Sequence, residues 1–130
     1  MKKIVLPLLL TLLGFGAKAE DAATEYTYFG FDPEIVTNYV SSRKKLGYVR
    51  VSVELMVRTS SDMEIIEHHE PLLRSAIVEI LGNQTEAQIK SLSGRDTIRK
   101  HCLDTVNQLL KQEVGKDVAV NLLFTKFLYD

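Results

Sequence analysis

The clearest hydrophobic pattern in the chain is a strict alternation of apolar and mostly polar positions in "YVRVSVELMVR". Val49, Val51, Val53, Leu55 and Val57 occupy every second position of this stretch. Successive side chains of a strand point to opposite faces of a sheet. The pattern therefore predicts a β-strand with one face on a core and the other in water.

Two shorter extended segments are predicted upstream, at residues 26–31 and 35–40, in the aromatic stretch "YTYFGFDPEIVTNYV". The pair Asp32 and Pro33 separates them, because proline lacks the N–H that a strand ladder needs. The polar stretch 41–47, "SSRKKLG", is typical of a turn that leads into the alternating strand.

Downstream of the alternating strand, apolar residues recur at spacings of three and four, which predicts a helix over residues 62–81. Ser61 and Glu64 have the spacing of a capping box at its start, and Gly82 is suited to its end. Pro71 falls inside this range. It should kink the helix, or split it near the preceding residue, because proline removes one helical hydrogen bond.

A second long helix is predicted over residues 95–114, ending at Gly115, after a link that contains one short helical turn. The last segment, "VAVNLLFTKFLYD", predicts a closing strand with a bulge near Leu122 and Leu123, where the alternation slips. The order of strands, helix, helix and strand predicts an α+β domain. Two helices would cover one face of a small sheet.

The stretch "EIIEHHEPLL" raises the question of a metal site or an acid/base centre. Adjacent residues of a helix point about 100° apart, so His68 and His69 cannot bind one ion together. Glu64 shares a face with His68, but two ligands are too few for catalytic zinc. We expect Glu70 to pair with Arg74 instead. We also found no nucleophile motif and no phosphate-binding glycine loop, so the sequence predicts no enzyme, no metal and no cofactor.

The first nineteen residues differ in composition from the rest. Lys2 and Lys3 precede an apolar run over residues 4–15, and "AKA" at 17–19 has the small-x-small pattern of a cleavage site. This order predicts a secretory signal peptide at 1–19 and a single exported domain at 20–130. The alternative is an uncleaved anchor, although a helix over twelve residues reaches only about 18 Å of a hydrocarbon layer about 30 Å thick.

Charge and cysteine content narrow the function classes further. Removing Lys2, Lys3 and Lys18 from the 16 basic residues leaves 13 against 17 acidic ones, a formal charge of −4. That balance argues against a nucleic-acid partner. Cys102 has no second cysteine to pair with, and its helical spacing from Ile98 and Val106 predicts a core position. The alternative is a disulfide between two copies of the chain.

Taken in order, several segments resemble the flagellar basal-body-associated FliL family. They are "YFGFDPEIVTNYV", "LGYVRVSVELMVR", "EHHEPLLRSAIVEILGNQT", "SGRDTIRKHCLDTVNQLL" and "VNLLFTKFLYD". The likeness covers about residues 26–130. It implies a fold like the stomatin-type domain and a non-enzymatic role beside the flagellar motor, with stator and basal-body proteins as partners. It also implies rings, that is, a homo-oligomer or a mixed oligomer.

The chain departs from the family at its start, because members usually carry a full transmembrane helix. If the leader is cleaved, the protein is expected in the periplasm near the inner membrane, tethered through partners or an anchored relative. If it is not, the protein is anchored to the inner membrane at the basal body. The alternative function is a soluble periplasmic peptide-binding or chaperone-like module that uses strand addition. The residues expected to contact partners are Tyr26, Tyr28, Phe29, Arg43, Lys44 and Lys45.

Overall fold

The computed structural model describes residues 25–41 and 46–130, which form a four-stranded antiparallel sheet and four helices. In chain order the elements are β1 (Thr27–Gly30), β2 (Ile35–Tyr39), β3 (Gly47–Val57), α1 (Ser60–His68), α2 (Glu70–Gly82), α3 (Glu86–Lys90), α4 (Leu92–Val114) and β4 (Asn121–Tyr129). The predicted α+β class is confirmed, with four helices in place of the two expected. The leader at 1–19 lies outside the described residues.

The long alternating strand β3 is the centre of the sheet. Strand β4 pairs along one side of β3, while β1 and β2 share the other side end to end. The five alternating apolar residues of β3 are at most 1% exposed, and the residues between them are half-buried or exposed. The half-buried strand predicted from the period-two pattern is confirmed.

The predicted helix over residues 62–81 is two helices that meet at His69. Pro71 lies in the first turn of α2. Proline is tolerated there because N–H groups of a first turn have no partner within the helix. The predicted capping box is wrong. The cap is Thr59, whose hydroxyl accepts a hydrogen bond from Asp62 N at 3.0 Å. Thr59 is still extended, as a cap requires, whereas Ser61 is already helical.

The second half of the helical layer follows its prediction more closely. The short helical turn expected in the link is α3, and α4 ends at Val114 with Gly115 in the left-handed region at φ 82°. The start of α4 lies one turn before the predicted residue 95. There the hydroxyl of Ser91 caps the helix by accepting from Gly94 N at 2.9 Å.

Helix α2 packs on β2 and α4, and α4 packs on β4, so the core lies between these helices and the sheet. Leu72 is one of the apolar residues whose spacing predicts the helix over residues 62–81, but it is exposed. The phase of α2 is set anew at Glu70, after the break, so Leu73 takes the inward position. The other buried residues of α2 are Ile77, Ile80 and Leu81.

The bulge in β4 lies at Thr125 and not near Leu122 as predicted. Lys126 pairs with Ser52 and Phe124 pairs with Val53, which leaves Thr125 without a partner position on β3. The extra residue resets the alternation. Phe124 and Phe127 therefore both face the helices, and their ring centroids are 5.3 Å apart.

Gly47 begins β3 because the ring of Tyr39 lies directly over it. A Cβ at position 47 would overlap that ring. Tyr39 is buried, and its hydroxyl donates a hydrogen bond to the carbonyl oxygen of Asp130 at 2.8 Å. The contact fixes the end of β4 against β2.

Candidate interaction surface

One face of the sheet is turned away from the helices, and we call it the open face. Cross-strand partners of a sheet lie on the same face, so the pairing with β3 identifies its members. These residues are half-buried or exposed: Tyr28, Val36, Asn38, Tyr48, Arg50, Ser52, Glu54, Met56, Leu123, Lys126 and Leu128. The open face is therefore the face of the sheet that water reaches.

An apolar patch lies at one end of the open face. Its members are Val36, Tyr48 and Leu128, which are 50%, 50% and 54% exposed, and we call it the Tyr48 patch. Val36 and Leu128 lie on the two sides of Arg50, since both pair with it. The three residues line an open depression of about 240 Å³. Grouped exposed apolar side chains are typical of binding surfaces.

A charged cluster occupies the middle of the open face. Glu34 accepts hydrogen bonds from Ser52 Oγ at 3.1 Å and from Arg50 Nη1 at 3.4 Å, and Lys126 Nζ lies 3.3 Å from its second oxygen. We call these four residues the Glu34 cluster. Desolvation raises the pKa of the Glu34 carboxyl. The hydrogen bonds and charges of Lys126, Ser52 and Arg50 outweigh desolvation, so the pKa lies below its ordinary value.

The far end of the open face is apolar again. Tyr28 is exposed there and pairs with Met56, while Leu123 lies across from Glu54. The open face thus has aromatic and aliphatic groups at both ends and fixed charges between them. That composition is suited to a protein partner, because anchoring apolar contacts and polar contacts that set register occur together.

The sequence-predicted contact residues occupy three different settings. Tyr26 is exposed just before β1, and Tyr28 belongs to the open face. Phe29 points the other way and packs on the core, with its ring centroid 5.1 Å from that of Phe31. The basic residues Arg43, Lys44 and Lys45 lie outside the described residues. A contact role for any of the six stays a prediction.

The Tyr48 patch was missed at the level of sequence. Tyr48 could have been found from the alternation, because it occupies an outward position of the strand. Leu128 could not, because its face depends on the bulge at Thr125, which shifts the register of the end of β4. Val36 needed the pairing of β2 with β3.

Of the two adjacent histidines, His68 is exposed and His69 makes structural contacts. His69 Nδ1 lies 2.8 Å from the carbonyl oxygen of Ile65 and must donate to it, and Nε2 lies 3.9 Å from Glu113. The expected ion pair between Glu70 and Arg74 is confirmed at 2.6 Å. Within residues 25–41 and 46–130, no three histidine, cysteine or carboxylate side chains are grouped as metal ligands. No helix in that part of the chain is long and apolar enough to span a membrane.

Cys102 belongs to the core, as predicted from its helical spacing. Its side chain is fully buried, and burial raises the pKa of the thiol to about 12. The alternative of a disulfide between copies is wrong for this fold, because Cys102 would have to leave the core to pair.

Fold and surface together define an α+β domain, in which helices bury one sheet face and leave the other exposed. The model of a protein family described as "Flagellar basal body-associated protein FliL" matches residues 28–129. The chain belongs to this family and is a flagellar basal-body-associated protein, so the resemblance seen in the sequence is confirmed.

A similar protein is known from Aquifex aeolicus (strain VF5), where it is named "Flagellar protein FliL". The two chains are 26% identical over 100 residues, which cover 77% of this chain and 59% of the relative. The chain therefore spans less than two thirds of the length of the curated relative that it matches.

Proposed function

We propose that the protein is a non-enzymatic accessory of the flagellar motor that assists stator function, and so rotation, through protein contacts on its open face. The observation that carries the proposal is the Tyr48 patch, an exposed apolar surface on the sheet of a basal-body-associated domain. The family description names an association with the basal body and no reaction, which agrees with an accessory role.

In this proposal the Tyr48 patch supplies most of the affinity for a partner, and the Glu34 cluster sets the register in which the partner binds. Burying apolar side chains contributes roughly 25 cal/mol per Å² of area removed from water. The charged groups at the centre of the face add little affinity, but they penalise a partner that docks in the wrong register. A homo-oligomer, or a mixed oligomer with an anchored relative, would repeat this face around the motor.

We further propose that the protein works in the periplasm, close to the inner membrane, after removal of residues 1–19. Support comes from the basic start, the apolar run and the small-x-small pattern before Glu20. An anchored relative or the stator itself would then hold the domain at the membrane.

A cross-linked pull-down of the tagged protein from its own cells tests the proposal. We expect stator or basal-body proteins among the captured partners, and a bait that begins at Glu20 when its N-terminus is read by mass spectrometry. The variant Leu128→Glu introduces a charge into the Tyr48 patch, and we expect it to reduce the recovery of these partners on the order of ten-fold and to reduce swimming.

The matched control is Leu72→Glu, the same change at an exposed leucine of α2, away from the open face. It should leave recovery and swimming as in the wild type. If no motor protein is enriched by the wild-type bait, the motor role is wrong. If Leu128→Glu and Leu72→Glu behave alike, the open face is not the contact surface.

A further inference from the structure

A second surface lies at the outer edge of β4, away from the open face. Among the described residues, β4 pairs with β3 on its inner side and with no strand on its outer side. Asp130 N donates to Tyr48 O at 3.0 Å, and hydrogen-bonded pairs alternate along an antiparallel ladder. The backbone N–H and C=O groups of Phe127 and Tyr129 therefore point outward. Such an edge is a template for pairing with another extended chain.

The beginning of the same edge is closed by side chains. Leu122 N donates to the side-chain oxygen of Asn121 at 2.9 Å, and Arg99 Nη1 lies 3.5 Å from Leu122 O. In the described part of the chain, no comparable contact covers the backbone of Phe127 or Tyr129. The open part of the edge is therefore its C-terminal half.

A groove runs beside this edge, between β4 and the first turns of α4. It has a volume of about 320 Å³, and we call it the β4 groove. Leu92 stands at its rim and is 76% exposed, the largest exposed fraction among the large apolar residues of the described chain. The rings of Phe124 and Phe127 form its apolar floor. The lining can therefore accept apolar side chains of a chain paired with the edge.

In the part of the chain that the structure describes, the β4 groove also holds a cation without a carboxylate partner. The Arg95 guanidinium lies over the Phe127 ring, 5.0 Å from its centroid, and its buried Nε has no hydrogen-bond acceptor among the described residues. The nearby Asp96 is already used by Arg99 at 3.1 Å and Lys100 at 3.2 Å. A buried donor without an acceptor is costly, so Arg95 favours a ligand that brings an acceptor.

We propose that the β4 edge and the β4 groove together bind an extended segment of a partner protein by strand addition. The side chains of that segment that face the groove would be apolar and acidic in turn. The backbone pairs with Phe127 and Tyr129, an apolar side chain packs between Leu92 and the Phe127 ring, and a carboxylate accepts from Arg95. The β4 groove meets the open face at Leu123, but the proposal uses neither the Tyr48 patch nor the Glu34 cluster, so either proposal can fail without the other.

Two synthetic peptides of nine residues, the length of β4, serve as probes. Both carry threonine at every second position. Between the threonines, valine alternates with glutamate in one peptide and with lysine in the other. We expect the acidic peptide to shift and protect the backbone amides of Phe127 and Tyr129 in the labelled full-length protein, and to bind on the order of ten-fold more tightly than the basic one.

Variants separate the contribution of the charge from that of the backbone. Arg95→Gln should weaken the acidic peptide on the order of ten-fold, and Arg95→Lys should keep most of the preference. Lys111→Gln, at an exposed cation near the other end of α4, should change nothing. Tyr129→Pro removes an outward N–H without breaking the ladder to β3 and should abolish binding, whereas Tyr129→Ala keeps the N–H and should bind.

Three results would overturn the proposal. One is an absence of binding by either peptide. Another is a lack of charge preference, in which the wild type binds both peptides equally or Arg95→Gln binds the acidic peptide as tightly as the wild type does. The third is concentration-dependent protection of the Phe127 and Tyr129 amides with no peptide present, which would assign the edge to a second copy of this chain.

Discussion

At the scale of single residues, Cys102 shows how burial controls reactivity. The unfolded thiol has an ordinary pKa of about 8.5, and burial raises the folded value to about 12. We expect a thiol reagent such as DTNB at about pH 8 to label the native protein at least a hundred-fold more slowly than the protein in urea. The thiolate is the nucleophile, and neither thiolate nor access is present in the fold.

The same shift sets a direction for stability. The folded thiol holds its proton where the unfolded thiol has lost it, so the contribution of Cys102 is complete below about pH 8.5 and is lost as the pH rises toward about 12. As the pH rises through this range, Cys102→Ala should lose less stability than the wild type, because it has no thiol to ionise. Rapid native labelling, or a disulfide-linked dimer on a non-reducing gel, would contradict the buried position.

At the scale of elements, Asn107 joins α4 to the segment before β4. Its side-chain oxygen accepts from Val118 N at 3.0 Å and Ala119 N at 2.9 Å, and its amide donates to Ala119 O at 2.8 Å. Asn107→Ala removes all three bonds and leaves three backbone groups without partners. We expect the free energy of unfolding, measured by urea denaturation, to fall by roughly 2–4 kcal/mol.

Gln108→Ala is the matched control for Asn107, because it changes an exposed amide on the next position of the same helix. It should alter stability by less than about 0.5 kcal/mol. A similar loss in both variants would mean that the effect comes from the helix and not from the joint with β4.

The elements themselves follow from the sequence wherever one period runs without interruption. The alternation of β3 and the spacing of Ile98, Cys102 and Val106 in α4 both gave the buried face correctly. The incorrect predictions concern the places where one element meets another. The cap at Thr59 depends on where β3 ends, and the bulge at Thr125 depends on the register with β3, so neither is a local property of the chain.

At the scale of the whole molecule, the open face becomes visible only when the strands are paired. Val36, Tyr48 and Leu128 come from three strands and are up to 92 positions apart in the numbering of the chain. Aromatic content near the start of the domain drew attention to both Tyr28 and Phe29, of which Tyr28 is exposed and Phe29 is turned to the core. Composition identifies candidate contact types, whereas the sheet register decides which of them share a surface.

The Glu34 cluster joins β3 and β4 to the residue just before β2, so it should make the stability of the sheet depend on pH. The folded pKa of Glu34 lies below the unfolded value of about 4.3, which means that the unfolded state binds the proton more readily. The stabilisation is therefore present above about pH 4.3 and is lost as the pH falls through the lower, folded pKa. We expect the difference in unfolding free energy between wild type and Glu34→Gln to be largest near pH 6 and to shrink on acidification.

Urea denaturation between about pH 3 and pH 7 measures this difference, with Glu67→Gln on the exposed side of α1 as the matched control. Salt gives a second readout, because ions near 1 M reduce the screening length to about 3 Å and should shrink the Glu34 difference at neutral pH. In Glu34→Gln, and in the wild type once Glu34 is protonated, the charges of Arg50 and Lys126 lose their carboxylate partner. If the difference in unfolding free energy instead increased as the pH fell, or did not change with salt, the cluster would stabilise the sheet through packing and not through charge.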